Sequence, residues 1–549
     1  MLDRLLEHWL DNASERSYQA PFCQMLIARG HRIVHSTRHS PIEFGKDVIS
    51  IASDKVPCAF QLKGNPGSRL TLIQFREIQG QLIQLATQPI IYPGVSRNIR
   101  HRCYLVTNGE VDEEAQKALE EVNLGLEANG YGSNRIEIWA RGQLLEMAKT
   151  LGPSLWPSEI SDLNALLKVL VIDGRENFPA ADFHGIFKKV LLLEQQKQPK
   201  AKSDAIRRRV ASAAVLTGLS LGRFSQASNH QAVLTGWTMF SMYAIAAVTR
   251  YGLSISKCAG QALTIATDTI RDALTDICNE IQDNPRLGSN LGHDFGEIYR
   301  ARLTMISGLM SLHWLWSEKT TWKISAQREF LASWIPKDVS QAYLWGEGAV
   351  PQLLAHYWYL SSVGYSFHDE FVLATLVRQT IHLSNDDTAL LPSPYFTFEN
   401  VMRHRLAGFL DGDDVLEDEA QGRGSYTAEG LFHLLVTTNL KATCKALWPA
   451  YSDLIHARFE PAEDWQYCLW RSDEGTNPDK IMVPNQEWAG LVAQARDCRL
   501  EGMPRALRDH AALLLLYVIL FPFRTNASVL RFLGHKFGTV WFVAPAITE

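Results

Sequence analysis

The sequence predicts an α/β domain at the N-terminus followed by a large, mainly α-helical region. Three observations predict it. Between Ser17 and Lys149, short strand-like runs alternate with segments of helical period. Beyond the Pro-containing stretch "GPSLWPSEISD", Gly152 to Asp162, strand-like runs almost vanish. The 549 residues are 46% apolar and 10% aromatic, enough material for more than one core. The expected division is residues 1–155 as the α/β domain, 156–210 as a linker with a basic connector helix, and 211–549 as a helical sensor or assembly region of one or two subdomains.

The elements follow in order. "MLDRLLEHWLDNASER" mixes both charge signs in an amphipathic helix, unlike the apolar core of a secretory signal. "YQAPFCQMLIARG" reads as a helix ending at Gly30, a residue suited to a left-handed cap, with "HRIVHS" as the strand after it. "DVISIA" and "PCAFQLK" are two strands joined by the turn-like "SDKV". In "LTLIQFREIQGQLIQLA", Phe75, Ile78, Leu82 and Leu85 mark one apolar helix face. "CYLVTNG" is a strand, "EVDEEAQKALEEVN" a helix with acids in its first turn, and "RIEIWA" a strand before the helix "GQLLEMAK".

Composition narrows the function classes. A net charge of -5 excludes a wholly basic protein, so any nucleic-acid contact must be local. The eight cysteines form no C-x-x-C pair, which argues against a zinc knuckle or disulfide framework and fits a reducing cytoplasm. Val233 to Val248 and Ala511 to Leu520 fall short of the roughly 20 apolar residues that span a bilayer, so both are expected as buried helices, without stable membrane insertion. No G-x-x-x-x-G-K-[ST] loop is present, so ATP-driven translocation is not expected of this chain.

The chemistry concentrates in the hairpin. Asp47 opens its first strand, and Gln61, Leu62 and Lys63 close its second. With a three-residue turn at Ser53 to Lys55, Asp47 lies opposite Gln61 and shares a face with Lys63; a two-residue turn sends the partners to opposite faces. A carboxylate, an amide oxygen and a strand carbonyl are hard oxygen ligands suited to Mg²⁺, and an adjacent ammonium can orient or deprotonate a water. The surrounding cations Arg38, Lys46, Arg69 and Arg76 are candidate phosphate contacts, each weighed against ordinary surface charge.

The "GKD" at Gly45 to Asp47, the "QLK" at Gln61 to Lys63 and the order of elements resemble the PD-(D/E)xK nuclease superfamily, and within it the Mrr-type restriction endonucleases, in which Gln commonly replaces the middle acid. The resemblance covers about residues 15–150. It implies a restriction-endonuclease-like fold with an αβββαβ core. It also implies Asp47, Gln61 and Lys63 as catalytic residues, and Mg²⁺ or Mn²⁺ held by Asp47, Gln61 and the Leu62 carbonyl. The usual glutamate of the first helix is Gln19 here; Glu15, one turn earlier, and the loop acid Glu43 are the alternative metal-facing acids.

The helical region carries a basic connector, Lys188 to Arg209, and a run of tryptophans from Trp314 to Trp358 expected to fill helix contacts. "DGDDVLEDE", Asp411 to Glu419, lacks the loop glycine of a calcium hand and reads as a solvated acidic loop. The expectation is a cytoplasmic, metal-dependent endonuclease acting on nucleic acid, DNA above all, as an effector of bacterial anti-phage defence, with a homo-oligomer and a partner protein as its associations. The competing expectation is a nuclease-fold module of weak or no activity that binds nucleic acid or a protein.

Overall fold

The computed structural model describes residues 2–36, 45–92, 95, 100–151, 160–193, 203–284, 296–316, 344–362, 369–385, 424–456, 458–459, 461–469, 476–477, 486–500, 503–522 and 525–538. The chain divides into two compact units, Met1–Asp272 and Ala273–Glu549. A mixed α/β sheet region opens the first, and the rest of the chain is mostly helical.

The sheet region begins with α1 (Leu2–Asn12) and α2 (Glu15–Ala28), followed by β1 (Arg32–Ser36), β2 (Val48–Ile51) and β3 (Pro57–Lys63). The short β4 (Arg69–Leu70) leads into α3 (Leu72–Thr87), then β5 (Arg102–Thr107), β6 (Glu110–Val111), α4 (Glu113–Ala128), β7 (Ile136–Trp139) and α5 (Arg141–Thr150). Five strands form one sheet in the order β1-β2-β3-β5-β7. The first three are antiparallel neighbours; β5 and β7 add in parallel through the crossover helices α3 and α4.

Local chemistry sets these boundaries. Ser14 caps α2 by accepting from the Ser17 N–H, and Gly30 follows the helix at φ +88°. Thr71 and Gln74 form a reciprocal capping box at the start of α3. Strand alternation then splits the core. Ile49, Ala59, Cys103 and Leu105 pack with Phe75, Leu82, Leu85, Leu119 and Val122 from α3 and α4 on one face. On the other, Phe60 meets Phe22 of α2 edge-on at 5.4 Å and stacks on Tyr104 at 4.9 Å.

Helices α6 (Ile160–Val171), α7 (Ala180–Val190), α8 (Ser203–Gln226), α9 (His230–Arg250), α10 (Ile255–Cys258) and the beginning of α11 (Gly260–Asp283) complete the first unit. Of the basic connector, residues 194–202 lie outside the described residues, and its two described ends belong to α7 and α8. Helix α9 is long and apolar enough to cross a membrane by length and composition, and 83% of its apolar window is buried inside the protein. Helix α2 packs along α8, so close that a Cβ on Gly218 would meet Pro21 Cγ at 2.3 Å.

In the second unit, Trp314, Trp345 and Trp358 are buried among helices; Trp322, Trp334 and the acidic stretch 411–419 lie outside the described residues. Glu347 is fully buried there, accepting from the Ser425 and Thr427 hydroxyls and the Tyr426 N–H, and burial raises its carboxyl to about 7.

Candidate functional site

Strands β2 and β3 pair with Val48 opposite Phe60 and Ile51 opposite Pro57. The paired register ends there; one residue beyond it the Asp47 N–H donates to the Phe60 carbonyl at 2.9 Å, and the Asp47 and Gln61 side chains meet. The turn is the three-residue Ser53–Lys55, closed by the Ala52 N–H on the Val56 carbonyl, with Lys55 left-handed at φ +67°. Period-2 alternation then aims Asp47 and Gln61 at the α3 face, together with Ile49 and Ala59, and Lys63 follows on that parity.

Asp47 is the hub. Its Oδ2 accepts both the Gln61 Nε2 and the Leu62 N–H at 2.6 Å. The Gln61 Nε2 also lies 3.4 Å from the Leu62 carbonyl, while its Oε1 is buried with no hydrogen-bond partner. Asp47 is 7% exposed and Gln61 4%, whereas Lys63 is half-buried at the strand end. Gly45 makes this closeness feasible. At φ +72°, a Cβ there would stand 2.4 Å from the Gln81 carbonyl oxygen and 3.2 Å from Gln61 Oε1.

The end of β3 is held from α2. The fully buried Tyr18 hydroxyl accepts from the Lys63 N–H at 3.2 Å and stands 3.1 Å from the Lys63 carbonyl and 3.3 Å from that of Val106. Burial raises this phenol well above its ordinary range, so it stays a neutral donor and acceptor. Glu15 takes the Gly64 N–H at 3.0 Å. Asn108 receives the Asn65 N–H at 2.8 Å and donates to the Leu10 and Ala13 carbonyls at 2.7 Å, tying the loop after β3 to the end of α1.

The sequence-predicted residues are thus partly assembled. Asp47, Gln61 and the Leu62 backbone meet directly, with Lys63 next in line; Glu15 reaches the residue after Lys63. Gln19 instead donates to the Ser36 hydroxyl at 3.3 Å, on the α2 side of the sheet. Lys46 is a correction: expected among surface phosphate contacts, it is 3% exposed with Nζ 3.5 Å from the Gln84 carbonyl near the end of α3. Burial lowers its ammonium to about 8. Arg69 and Arg76 are exposed, Arg69 lying 3.8 Å from Asp112. Arg38 and Glu43 lie outside the described residues.

Tyr18 and Asn108 were missed by sequence reasoning. Tyr18 lies one helical position short of Gln19 and carried no motif signal; its role depends on a hydroxyl reaching backbone across two strands.

One carboxylate, one buried amide oxygen without a partner and one strand carbonyl are hard oxygens of the type Mg²⁺ takes. Turning the Gln61 amide over would set Oε1 where Nε2 now stands, 2.6 Å from Asp47 Oδ2. That is close to the ~2.9 Å edge of an octahedron of oxygens at about 2.05 Å from a central ion. The residues fit the group, though among the described residues no cluster of three or more His, Cys, Asp or Glu accompanies them. Comparison with protein-family models, with curated proteins and with solved structures returns no match for this chain.

Proposed function

We propose that the N-terminal domain is a restriction-endonuclease-like phosphodiesterase that cleaves nucleic acid, with DNA as the substrate, as an effector of anti-phage defence. The observation that carries this reading is the 2.6 Å contact of Gln61 Nε2 with Asp47 Oδ2 at the open end of the β2–β3 hairpin, with Lys63 two residues further along β3 on the parity of Gln61.

Asp47, Gln61 Oε1 and the Leu62 carbonyl are the groups that would hold Mg²⁺ or Mn²⁺. When bound, such an ion supplies Lewis-acid polarisation of the phosphoryl oxygen and an acidified water. Lys63 is held by its own N–H on the Tyr18 hydroxyl, so its side chain leaves from a fixed backbone. From there its ammonium orients the attacking water and opposes charge building on the phosphate. Because Asp47 and Gln61 are buried, the half-buried Lys63 end is the side from which a phosphodiester approaches. Exposed Arg69 and Arg76 are available for the phosphate backbone, a sequence-independent grip.

The test is cleavage of plasmid with Mg²⁺ or Mn²⁺ by the full chain and by Asp47→Asn and Lys63→Ala. Asparagine can still accept from the Leu62 N–H, so the fold is retained while the carboxylate is lost. Each variant should lose at least about 10²-fold in rate with an unchanged melting profile. Normal cleavage by both would remove the nuclease assignment.

A second reading has its own observation. The Asp47 Oδ2 already accepts two hydrogen bonds and the site has one hairpin carboxylate, the arrangement of a closed structural pair. On that reading the domain binds nucleic acid or a protein without cleaving, and wild-type protein would show metal-independent binding and no turnover.

A further inference from the structure

In the second unit, Arg531 on the helix Ala527–Phe537 is a guanidinium withdrawn from water, 7% exposed. Its Nε donates to the Asp497 backbone carbonyl at 2.9 Å, and its Nη1 lies 3.0 Å from His433 Nδ1. Both are uncharged acceptors: an Nδ1 that receives an arginine N–H carries no proton of its own. No carboxylate among the described residues stands within ion-pair distance of Arg531. The Asp497 carboxylate feels its field but is engaged by Arg499 at 2.5 Å, and Arg499 is the main reason that acid lies at about 2. A buried cation without an opposite charge is costly, and burial of this kind is ordinarily matched by an anion.

Arg531 also lines a cavity. Trp358, Thr438, Cys498, His535 and Gly538 share its wall, and its volume is about 30 Å³. A space of about 10–15 Å³ is enough for one water-sized group, so this one admits two such groups, the two oxygens of a carboxylate or of one edge of a phosphate, and less than a whole metabolite. Planar, forked donors match the oxygens of either head.

We propose that this niche is a recognition site for the carboxylate or phosphate head of a small ligand, with Arg531 as its counter-charge and the rest of the ligand leaving past the part-exposed Cys498. Cys498 offers the readout, since it is the one cysteine of the eight that is not buried. Iodoacetamide labelling of Cys498 in the native full-length protein is followed by mass spectrometry, with inorganic phosphate or acetate titrated at ionic strength held constant with NaCl. Either anion should slow labelling saturably, by at least about fivefold when the site is full. Protection by phosphate alone identifies a phosphate head, and protection by acetate alone a carboxylate. Arg531→Gln should label at one rate whatever the anion. Equal protection in that variant would overturn the site, as would a wild-type titration with neither anion protecting beyond NaCl. The wild-type titration decides the matter alone if the variant does not fold.

Discussion

At the scale of single residues, Gln61 decides what the site can do, because the same amide is a donor toward Asp47 and carries an oxygen with no partner. Replacing it by glutamate removes the donor and sets two carboxylates about 2.6 Å apart. Without metal they must share a proton, which raises the pKa of the pair in the folded state. A raised folded pKa means stability present in acid and lost as pH rises through it. Gln61→Glu should therefore be less stable than wild type in EDTA near neutrality, by about 1–3 kcal/mol, and much less so in mild acid. Mg²⁺ should close the gap. Urea unfolding in EDTA and in Mg²⁺ measures this, and a gap indifferent to Mg²⁺ would mean that no cation sits between the two side chains. The meeting of Asp47 with Gln61 was legible in the sequence because strand alternation and one loop length determine which side chains share a face. The burial of Lys46 was not legible, since it depends on where the end of α3 comes to rest.

At the scale of elements, the hairpin rests on a turn without glycine. Lys55 occupies the left-handed position of the three-residue loop, where an L side chain costs roughly 1–2 kcal/mol. Lys55→Gly should stabilise the protein by up to about 1 kcal/mol and leave the proposed cleavage unchanged, as read by thermal melting and plasmid assay. The Asp54 contacts to the Val56 N–H and to Arg102 remain in that variant. Destabilisation would show that the lysine side chain, not the backbone, holds the loop. Strand β3 was readable to the residue because "PCAFQLK" is bounded by a proline at one end and a glycine at the other. The two-residue strands β4 and β6 were not, because neither is long enough to display a period.

At the scale of the whole chain, the sheet region and the helices after it share a core in the first unit. Gln24 Nε2 donates to the Ala262 carbonyl at 3.3 Å, the Ile33 N–H to Gln261 Oε1 at 3.3 Å, and Gln226 Nε2 to the Asn12 carbonyl at 2.5 Å. Residues 1–155 alone would leave the outer side of α2 bare, so that fragment should aggregate or unfold at lower urea than residues 1–272, which should unfold in one transition. Equal midpoints for the two fragments would make α8 dispensable to the sheet region. The proline-rich stretch after Leu151 reads as a linker in sequence, and only the burial of "PFCQMLI" on every side of α2 hints otherwise. The Pro21–Gly218 contact carries a consequence for inheritance. A crossover between genes near codon 155 would separate surfaces shaped to each other, and a foreign partner helix with any larger side chain at the position of Gly218 would strike Pro21. Shuffling of this α/β domain between proteins is therefore expected to carry α8 along, so that the portable cassette runs through Asp272.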